Sequence, residues 1–126
     1  MRIALAIVAA AALSGAAVSA WAGEQGEPDQ TCGVSTPEMV DCLSAQRAHW
    51  DKELTIVYQQ VMKSVTPQQR DLLRQAERAW IKFRDANCDF VGSGEGSIAR
   101  IQAAECLRRM TERRARELKG EFDVPN

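Results

Sequence analysis

The chain is 126 residues long, with 45% hydrophobic residues, 26% charged residues and a formal net charge of −1. This length predicts a single domain with room for a hydrophobic core. The near-neutral charge argues against a protein that covers nucleic acid with a basic surface, and we expect no nucleic-acid partner.

Residues 1–22 have the pattern of a secretory signal peptide. A positive start at Arg2 is followed by an apolar run over 3–13, and small residues lead to two cleavage triplets that end at Ala20 and Ala22. We expect cleavage after one of these two alanines. The apolar run is shorter than the roughly 20 residues of a membrane-spanning helix, so we predict a periplasmic or secreted protein with no integral membrane segment after cleavage.

Four cysteines follow the signal segment: Cys32, Cys42, Cys88 and Cys106. An even number of cysteines in a short exported chain predicts two disulfides, for which three connectivities exist. No two cysteines form a Cys-x-x-Cys pair, and His49 is the only histidine. We therefore expect no metal site and no cofactor.

A polar arm at 23–35 precedes the first of three predicted helices, and a tail at 120–126 follows the last. The first helix should start with Thr36 as its N-cap and Pro37 in its first position. Its apolar residues recur at steps of three and four as far as Val65, which is the period of an α-helix.

The second helix should be capped by Thr66, in a capping box with Gln69. The glycine-rich segment 92–96 should end it, and Ser97 should cap the third helix. Helices joined by short loops pack antiparallel to their neighbours in sequence. The fold class we predict is all-α, with residues 36–119 forming a three-helix up-down-up bundle.

This topology brings all four cysteines to one end of the bundle, so geometry alone does not choose their pairing. We predict the bridges Cys32–Cys42 and Cys88–Cys106, because each closes a short segment that can be oriented locally. Each bridge should contribute roughly 2–4 kcal/mol to stability.

Arg114 lies on the apolar stripe of the third helix, between Met110 and Leu118. A buried charge needs a partner, and the up-down-up order places Glu53 of the first helix at about the same depth. We predict a structural ion pair between Arg114 and Glu53, with Asp85 as the second candidate partner. The alternative is an Arg114 side chain that extends along the bundle edge to water.

Five aromatic residues occur at helical spacing, which is typical of core packing rather than of a ligand site. They are Trp50, Tyr58, Trp80, Phe83 and Phe90. Trp80 and Arg84 are four residues apart on the second helix, so we also expect a cation–π contact between them.

The third predicted helix is basic, with seven basic and three acidic residues between Ile98 and Lys119. One interpretation is a solvated helix with ion pairs four residues apart, such as Glu105–Arg109, Glu112–Arg116 and Arg113–Glu117. The other is a surface for an anionic partner, such as a wall polymer or a lipid headgroup. The interleaved acidic residues favour the first interpretation.

An ordered set of residues runs through the chain after the signal. It comprises Cys32, Thr36, Met39 and Cys42, then Glu53, Leu54 and Tyr58, then Trp80, Phe83, Arg84, Asp85 and Cys88, and finally Cys106, Thr111, Arg114 and Leu118. With this set the chain resembles the LprI-type lysozyme-inhibitor family of small exported bacterial proteins. Thr55 departs from that family, which often has asparagine at this position, and the chain lacks the lipidation cysteine that some members carry.

The resemblance implies an exported helical module that binds and inhibits lysozyme. Common lysozymes are basic, so their docking face should be the acidic start of the exported chain: Glu24, Glu27, Asp29, Glu38 and Asp41. The alternative function is a structural or stress-related envelope protein that binds anionic wall or membrane components through the second and third helices. We do not expect an enzyme, because no nucleophile, general base or metal site is visible in the sequence.

Overall fold

The structure is a computed structural model and describes residues 31–121. Three α-helices follow one another in this range: α1 at Thr36–Ser64, α2 at Pro67–Val91 and α3 at Gly96–Glu121. No strand occurs among the described residues, and the all-α prediction is confirmed. The predicted signal peptide, most of the predicted arm and the last five residues lie outside the described residues. Helix α3 ends at Glu121, two residues beyond the domain boundary that was predicted at residue 119.

A capping box begins α1, but its N-cap is Ser35 rather than the predicted Thr36. The Ser35 hydroxyl accepts a hydrogen bond from the Glu38 backbone N–H, and the Glu38 carboxylate accepts one from the Ser35 N–H at 2.9 Å. Thr36 therefore occupies the first helical position and Pro37 the second. Ser35 is the N-cap because Glu38 then occupies the third helical position. From there its carboxylate can accept the hydrogen bond of the N-cap backbone N–H, as a capping box requires.

The start of α2 agrees with the prediction. The Thr66 hydroxyl accepts from the Gln69 backbone N–H at 3.3 Å, and the Gln69 side chain accepts from the Thr66 N–H at 2.9 Å. Helices α1 and α2 therefore both begin with a capping box. The side-chain acceptor is the charged Glu38 in α1 and the neutral Gln69 in α2.

Two glycines shape the connection between α2 and α3. A Cβ added at Gly92 would lie 2.6 Å from the Cβ of Ala103, so only glycine allows the end of α2 to approach α3 this closely. Gly96 has a φ of +80°, a left-handed conformation that L side chains rarely adopt. The predicted cap, Ser97, lies inside the first turn of α3.

The helices follow the predicted up-down-up order. Helix α2 runs antiparallel to α3, since the bridge Cys88–Cys106 joins them at one end and Glu77 meets Arg114 further along. Helix α1 packs most extensively against α3, whereas α1 and α2 make the fewest contacts with each other. As a result, α2 is covered on a narrower face than its neighbours.

The hydrophobic core has two parts. One cluster joins all three helices through Val57, Val61, Leu73 and Leu118. The other surrounds the second disulfide and contains Cys88, Cys106 and Met110, with Trp80, Val91 and Leu107 packed against it. Thr111 has no exposed surface and lies on the α3 face between these two clusters.

The aromatic residues divide between core and surface. Trp50 is buried, and Tyr58 and Trp80 pack against the two clusters. Phe83 and Phe90, however, are 59% and 77% exposed, so their predicted core packing is wrong. The physical reason is the narrow coverage of α2: only the face that carries Leu73, Trp80, Arg84 and Cys88 meets the other helices.

Both predicted disulfides are present. Cys32 bonds to Cys42, and Cys88 bonds to Cys106, each with its Cα atoms 5.5 Å apart. The first ties the residues before α1 onto that helix, and the second ties the end of α2 to α3. Within residues 31–121, no helix combines the length and the apolar character that a bilayer span requires.

Candidate functional site

Arg84 lies at the centre of the bundle and touches all three helices. Only 6% of the residue is exposed. Its Nη1 lies 3.4 Å from Asp51 Oδ1 on α1 and 3.3 Å from Thr111 Oγ1 on α3. Its Nε donates to Asp85 Oδ1 at 2.9 Å. One guanidinium thus joins α2 to both neighbours through its separate N–H groups.

The surroundings of Arg84 satisfy its charge. Its guanidinium carbon lies 5.2 Å from the centre of the Trp80 ring, which confirms the predicted cation–π contact. Arg47 approaches Asp51 at 3.4 Å, so two arginines and two aspartates balance one another here. The Thr111 hydroxyl in turn donates to the Leu107 carbonyl at 2.8 Å. We call this group (Asp51, Trp80, Arg84, Asp85 and Thr111) the Arg84 network.

Arg114 forms the second ion pair inside the bundle, but with a different partner from the predicted one. Its Nε and Nη2 both donate to Glu77 Oε1 on α2, with Nε at 2.9 Å. The two side chains are 17% and 12% exposed. The predicted pairing with Glu53 is therefore wrong, and Asp85, the second candidate, belongs to Arg84.

The reason for this difference lies in the helix arrangement. Because α2 runs antiparallel to α3 from the second disulfide, Glu77 comes level with Arg114 at a short distance. The depth of Glu53 along α1 does not decide the pairing, since Arg114 lies on the side of α3 that faces α2. Arg114 thus pairs with a carboxylate on another helix, but neither of the two predicted carboxylates is its partner.

Each disulfide has a side-chain amide beside it. Gln46 is 3% exposed, and its Nε2 lies 3.5 Å from Cys42 Sγ and 3.7 Å from Cys32 Sγ. Asn87 Nδ2 lies 3.5 Å from Cys106 Sγ. These amides fill polar positions on otherwise apolar stripes. The only sequence signal for their position beside the disulfides was that each amide falls on the apolar stripe of its helix.

The two acidic residues predicted to bind a partner, Glu38 and Asp41, are both exposed on the first turns of α1. Hydrogen bonds from the side chain and then the backbone of Ser35 lower the pKa of the Glu38 carboxyl from its ordinary value. Glu38 thus carries its charge while it caps the helix. Of the predicted docking residues, Glu24, Glu27 and Asp29 lie outside the described residues.

Four of the basic residues of α3 form ion pairs with acids on the same helix: Arg108, Arg113, Arg114 and Arg116. Arg108 lies between Glu105 at 2.7 Å and Glu112 at 2.6 Å. The hydrogen bond from Arg108 lowers the pKa of Glu105, and the same bond is the main cause of a raised Arg108 pKa. The predicted pairs Glu112–Arg116 and Arg113–Glu117 are confirmed, whereas Glu105 pairs with Arg108 instead of Arg109.

These features describe a module whose polar groups hold its own helices together. In the part of the chain that the structure describes, no three His, Cys, Asp or Glu side chains are grouped closely enough to hold a metal ion. The buried arginines face carboxylates and a threonine hydroxyl, and every described cysteine is in a disulfide.

Comparison with known proteins decides which family this architecture represents. The family model described as lysozyme inhibitor LprI matches residues 29–118, well over half of the chain. The chain belongs to the LprI family. An uncharacterized protein of Rhizobium meliloti (strain 1021) is 29% identical to it over 111 residues, which cover 76% of this chain and 80% of the relative. No solved structure matches it.

The residues that carry the resemblance to LprI proteins have structural tasks in this chain. Trp80, Arg84, Asp85 and Thr111 belong to the Arg84 network, and Arg114 forms the second buried pair. The four cysteines form the two bridges. In this LprI-family chain these shared residues therefore join the helices of the bundle to one another.

Proposed function

We propose that this protein is an exported, non-enzymatic binding module that binds and inhibits lysozyme. The observation that carries the proposal is the match to the LprI family over residues 29–118. The internal use of the shared polar residues supports it, because a scaffold held by its own ion pairs and disulfides leaves recognition to exposed side chains. The two disulfides support export, since such bonds persist in oxidising compartments.

The docking face that we propose is the start of α1, with Glu38 and Asp41. Both carboxylates are exposed, and the Cys32–Cys42 bridge holds this end of the helix in place. Lysozymes of the common type are basic, so the attraction should be electrostatic and should weaken as salt is added. The basic residues of α3 have less support as a binding surface for anionic envelope components, because many of them already face acids.

A muramidase assay at low and high salt tests this proposal. We expect inhibition by the wild type at low salt, and about tenfold weaker inhibition by the double variant Glu38→Gln/Asp41→Asn, which corresponds to roughly 1.4 kcal/mol of binding free energy. Glutamine is chosen at position 38 because it can still accept the hydrogen bond of a capping box. The folding of α1 should therefore survive the change.

A matched control removes two exposed acids at the opposite end of the bundle, through Asp71→Asn/Glu121→Gln. This control should inhibit like the wild type. Equal inhibition by both double variants would move the docking face away from Glu38 and Asp41. Absence of inhibition by the wild type would remove lysozyme as the target.

Export through residues 1–22 is the other part of the proposal. Expression of the full chain in a Gram-negative host, followed by N-terminal sequencing of the periplasmic fraction, tests it. We expect a mature chain that begins at Trp21 or Gly23. Recovery of the uncut chain from the cytoplasm would contradict the proposed localisation.

A further inference from the structure

A continuous apolar stripe remains exposed along α2. Its six residues are Leu72, Ala76, Ala79, Phe83, Ala86 and Phe90, and each of them is exposed. The stripe contains no charged or polar residue and extends about 27 Å along the helix. Monomeric proteins rarely leave a contiguous apolar surface of this kind uncovered.

The spacing of this stripe is that of a coiled coil. Its residues alternate at steps of four and three, which is the heptad pattern of positions that face a partner helix. The stripe lies about 120° around α2 from Arg84, so the residues that hold α2 on the bundle are different ones. A second helix can therefore approach the stripe without displacing α1 or α3 from the Arg84 network.

We propose that this stripe binds the same stripe of a second copy of the chain, with the two α2 helices antiparallel. A two-fold axis at the level of Ile81 brings Leu72 opposite Phe90 of the copy. The same axis brings Ala76 opposite Ala86 and Ala79 opposite Phe83. Every phenylalanine thus meets a smaller side chain, and the alanines let the helices come close. A parallel arrangement would stack Phe83 on Phe83 and leave gaps between facing alanines.

The charges beside the stripe favour the same arrangement. A flank of exposed residues runs along one side of it: Asp71, Gln75, Arg78, Lys82, Asp85 and Asp89. Asp71 lies at the N-terminal end of this flank, Arg78 and Lys82 lie in its middle, and Asp85 and Asp89 follow. Reversal of the copy brings Arg78 and Asp85 to the same height, whereas Lys82 meets Lys82 of the copy near the axis. Arg78 then faces Asp85 of the copy, and Gln75 faces Asp89. In a parallel pair the flanks of the two copies would lie on opposite sides of the contact, so these pairs would not form.

The dimer should be concentration-dependent, because one helix face lies at the small end of stable protein interfaces. Sedimentation equilibrium of the full-length product, purified with both disulfides formed, is the first measurement. We expect the mass to double between low-micromolar and near-millimolar concentration. The variant Ala79→Glu should remain a monomer throughout this range, because it places a charge in the centre of the stripe.

The matched control is Ala45→Glu, which makes the same change at an exposed position of α1. It should dimerise like the wild type. A wild type that stays monomeric at the highest concentration would overturn the proposal, as would a dimer that Ala79→Glu leaves intact. A monomeric wild type whose binding to lysozyme is lost in Ala79→Glu would assign the stripe to that enzyme instead.

A cysteine cross-link tests the direction of the helices. Lys82 lies beside the proposed axis, so the variant Lys82→Cys should form a covalent dimer on mild oxidation. In a parallel pair the two cysteines would lie on opposite sides and would not meet. The control Arg74→Cys, on the outer face of α2, should stay largely monomeric. Cross-linking of Arg74→Cys but not of Lys82→Cys would overturn the antiparallel arrangement. The mass and cross-linking measurements do not depend on the proposed inhibition of lysozyme.

Discussion

At the scale of single residues, the two arginines inside the bundle define its interior chemistry. Arg84 is held by carboxylates from α1 and α2 and by Thr111, and Arg114 is held by Glu77. A guanidinium suits these positions because it presents several N–H groups in a fixed plane, which a lysine ammonium cannot do. The two pairs differ in exposure: Asp51 and Asp85 reach water, whereas Glu77 is mostly covered.

This difference gives a prediction for the pair of Glu77 and Arg114. The variant Arg114→Met leaves the covered Glu77 carboxylate without its partner and should lower the free energy of unfolding by about 3 kcal/mol. The double variant Glu77→Met/Arg114→Met should lose much less, because no charge is then stranded. Urea denaturation of both single variants and the double variant measures this coupling.

The control for that cycle replaces Glu53, the partner that the sequence first indicated. Glu53→Met and Arg114→Met should have additive effects, since the two side chains do not form the pair. Additivity for Glu77 and Arg114 would contradict the ion pair. Strong coupling between Glu53 and Arg114 would restore the original prediction.

At the scale of the elements, α1 and α2 start with capping boxes that differ in one charge. In α1 the acceptor is the ionised Glu38, and in α2 it is the neutral Gln69. The Ser35 hydrogen bonds favour the charged form of Glu38, so its pKa is lower in the folded chain than in the unfolded one. The start of α1 should therefore respond to acid, and the start of α2 should not.

The sign of this effect can be tested with Glu38→Gln. Because the folded pKa is depressed, the stabilisation from the Glu38 charge is fully present above the ordinary pKa of 4.5 and is lost as the pH falls further. At neutral pH the wild type should be more stable than Glu38→Gln, and the difference should shrink below pH 4.5. Thermal melts of both proteins across this range measure it.

Two further variants separate the cap from other acid effects. Asp41→Asn removes a neighbouring charge that takes no part in the capping box, and Gln69→Glu adds the same charged acceptor to α2. We expect acid to narrow the stability difference for Glu38→Gln, and we expect Gln69→Glu to make α2 sensitive to acid in turn. A difference between wild type and Glu38→Gln that grows as the pH falls would contradict the assigned direction of the pKa shift.

At the scale of the whole molecule, α3 is the helix that holds the other two. It packs most extensively along α1, and it meets α2 at the second disulfide, at Thr111 and at Arg114. Helix α2 packs less extensively against α3 than α1 does, so its attachment depends strongly on the Cys88–Cys106 bridge. The first bridge, by contrast, secures only the residues that precede α1.

We therefore predict unequal effects for the two bridges. Removal of either one should cost about 2–4 kcal/mol through the entropy of the unfolded chain, and the two values differ little because the sequence separations are 10 and 18. Cys88→Ala/Cys106→Ala should cost more than Cys32→Ala/Cys42→Ala, since Cys88 and Cys106 are also buried in the core. Guanidinium denaturation of the two variants compares them, and a larger loss for the first bridge would contradict this ranking.

What the sequence determined by itself was local. The three helices, the Thr66 capping box and the contact between Trp80 and Arg84 follow from spacings of a few residues, and both disulfides were predicted as the pairings that close short segments. Such spacings are set by the geometry of one helix or one short loop, so they can be read without the fold. Even there Ser35 rather than Thr36 became the cap, because the reciprocal hydrogen bond to Glu38 decided between adjacent hydroxyl residues.

The tertiary structure decided which face of each helix is covered. The periodicity of α2 allows either Phe83 and Phe90 or Arg84 and Cys88 to face inward, since the two stripes are neighbours on one helix. The choice depends on how α2 rotates against α3, and the second disulfide and the pair Glu77–Arg114 set that rotation together. For the same reason the partner of Arg114 was found on α2 and not on α1, because helix packing sums contributions from residues far apart in the chain.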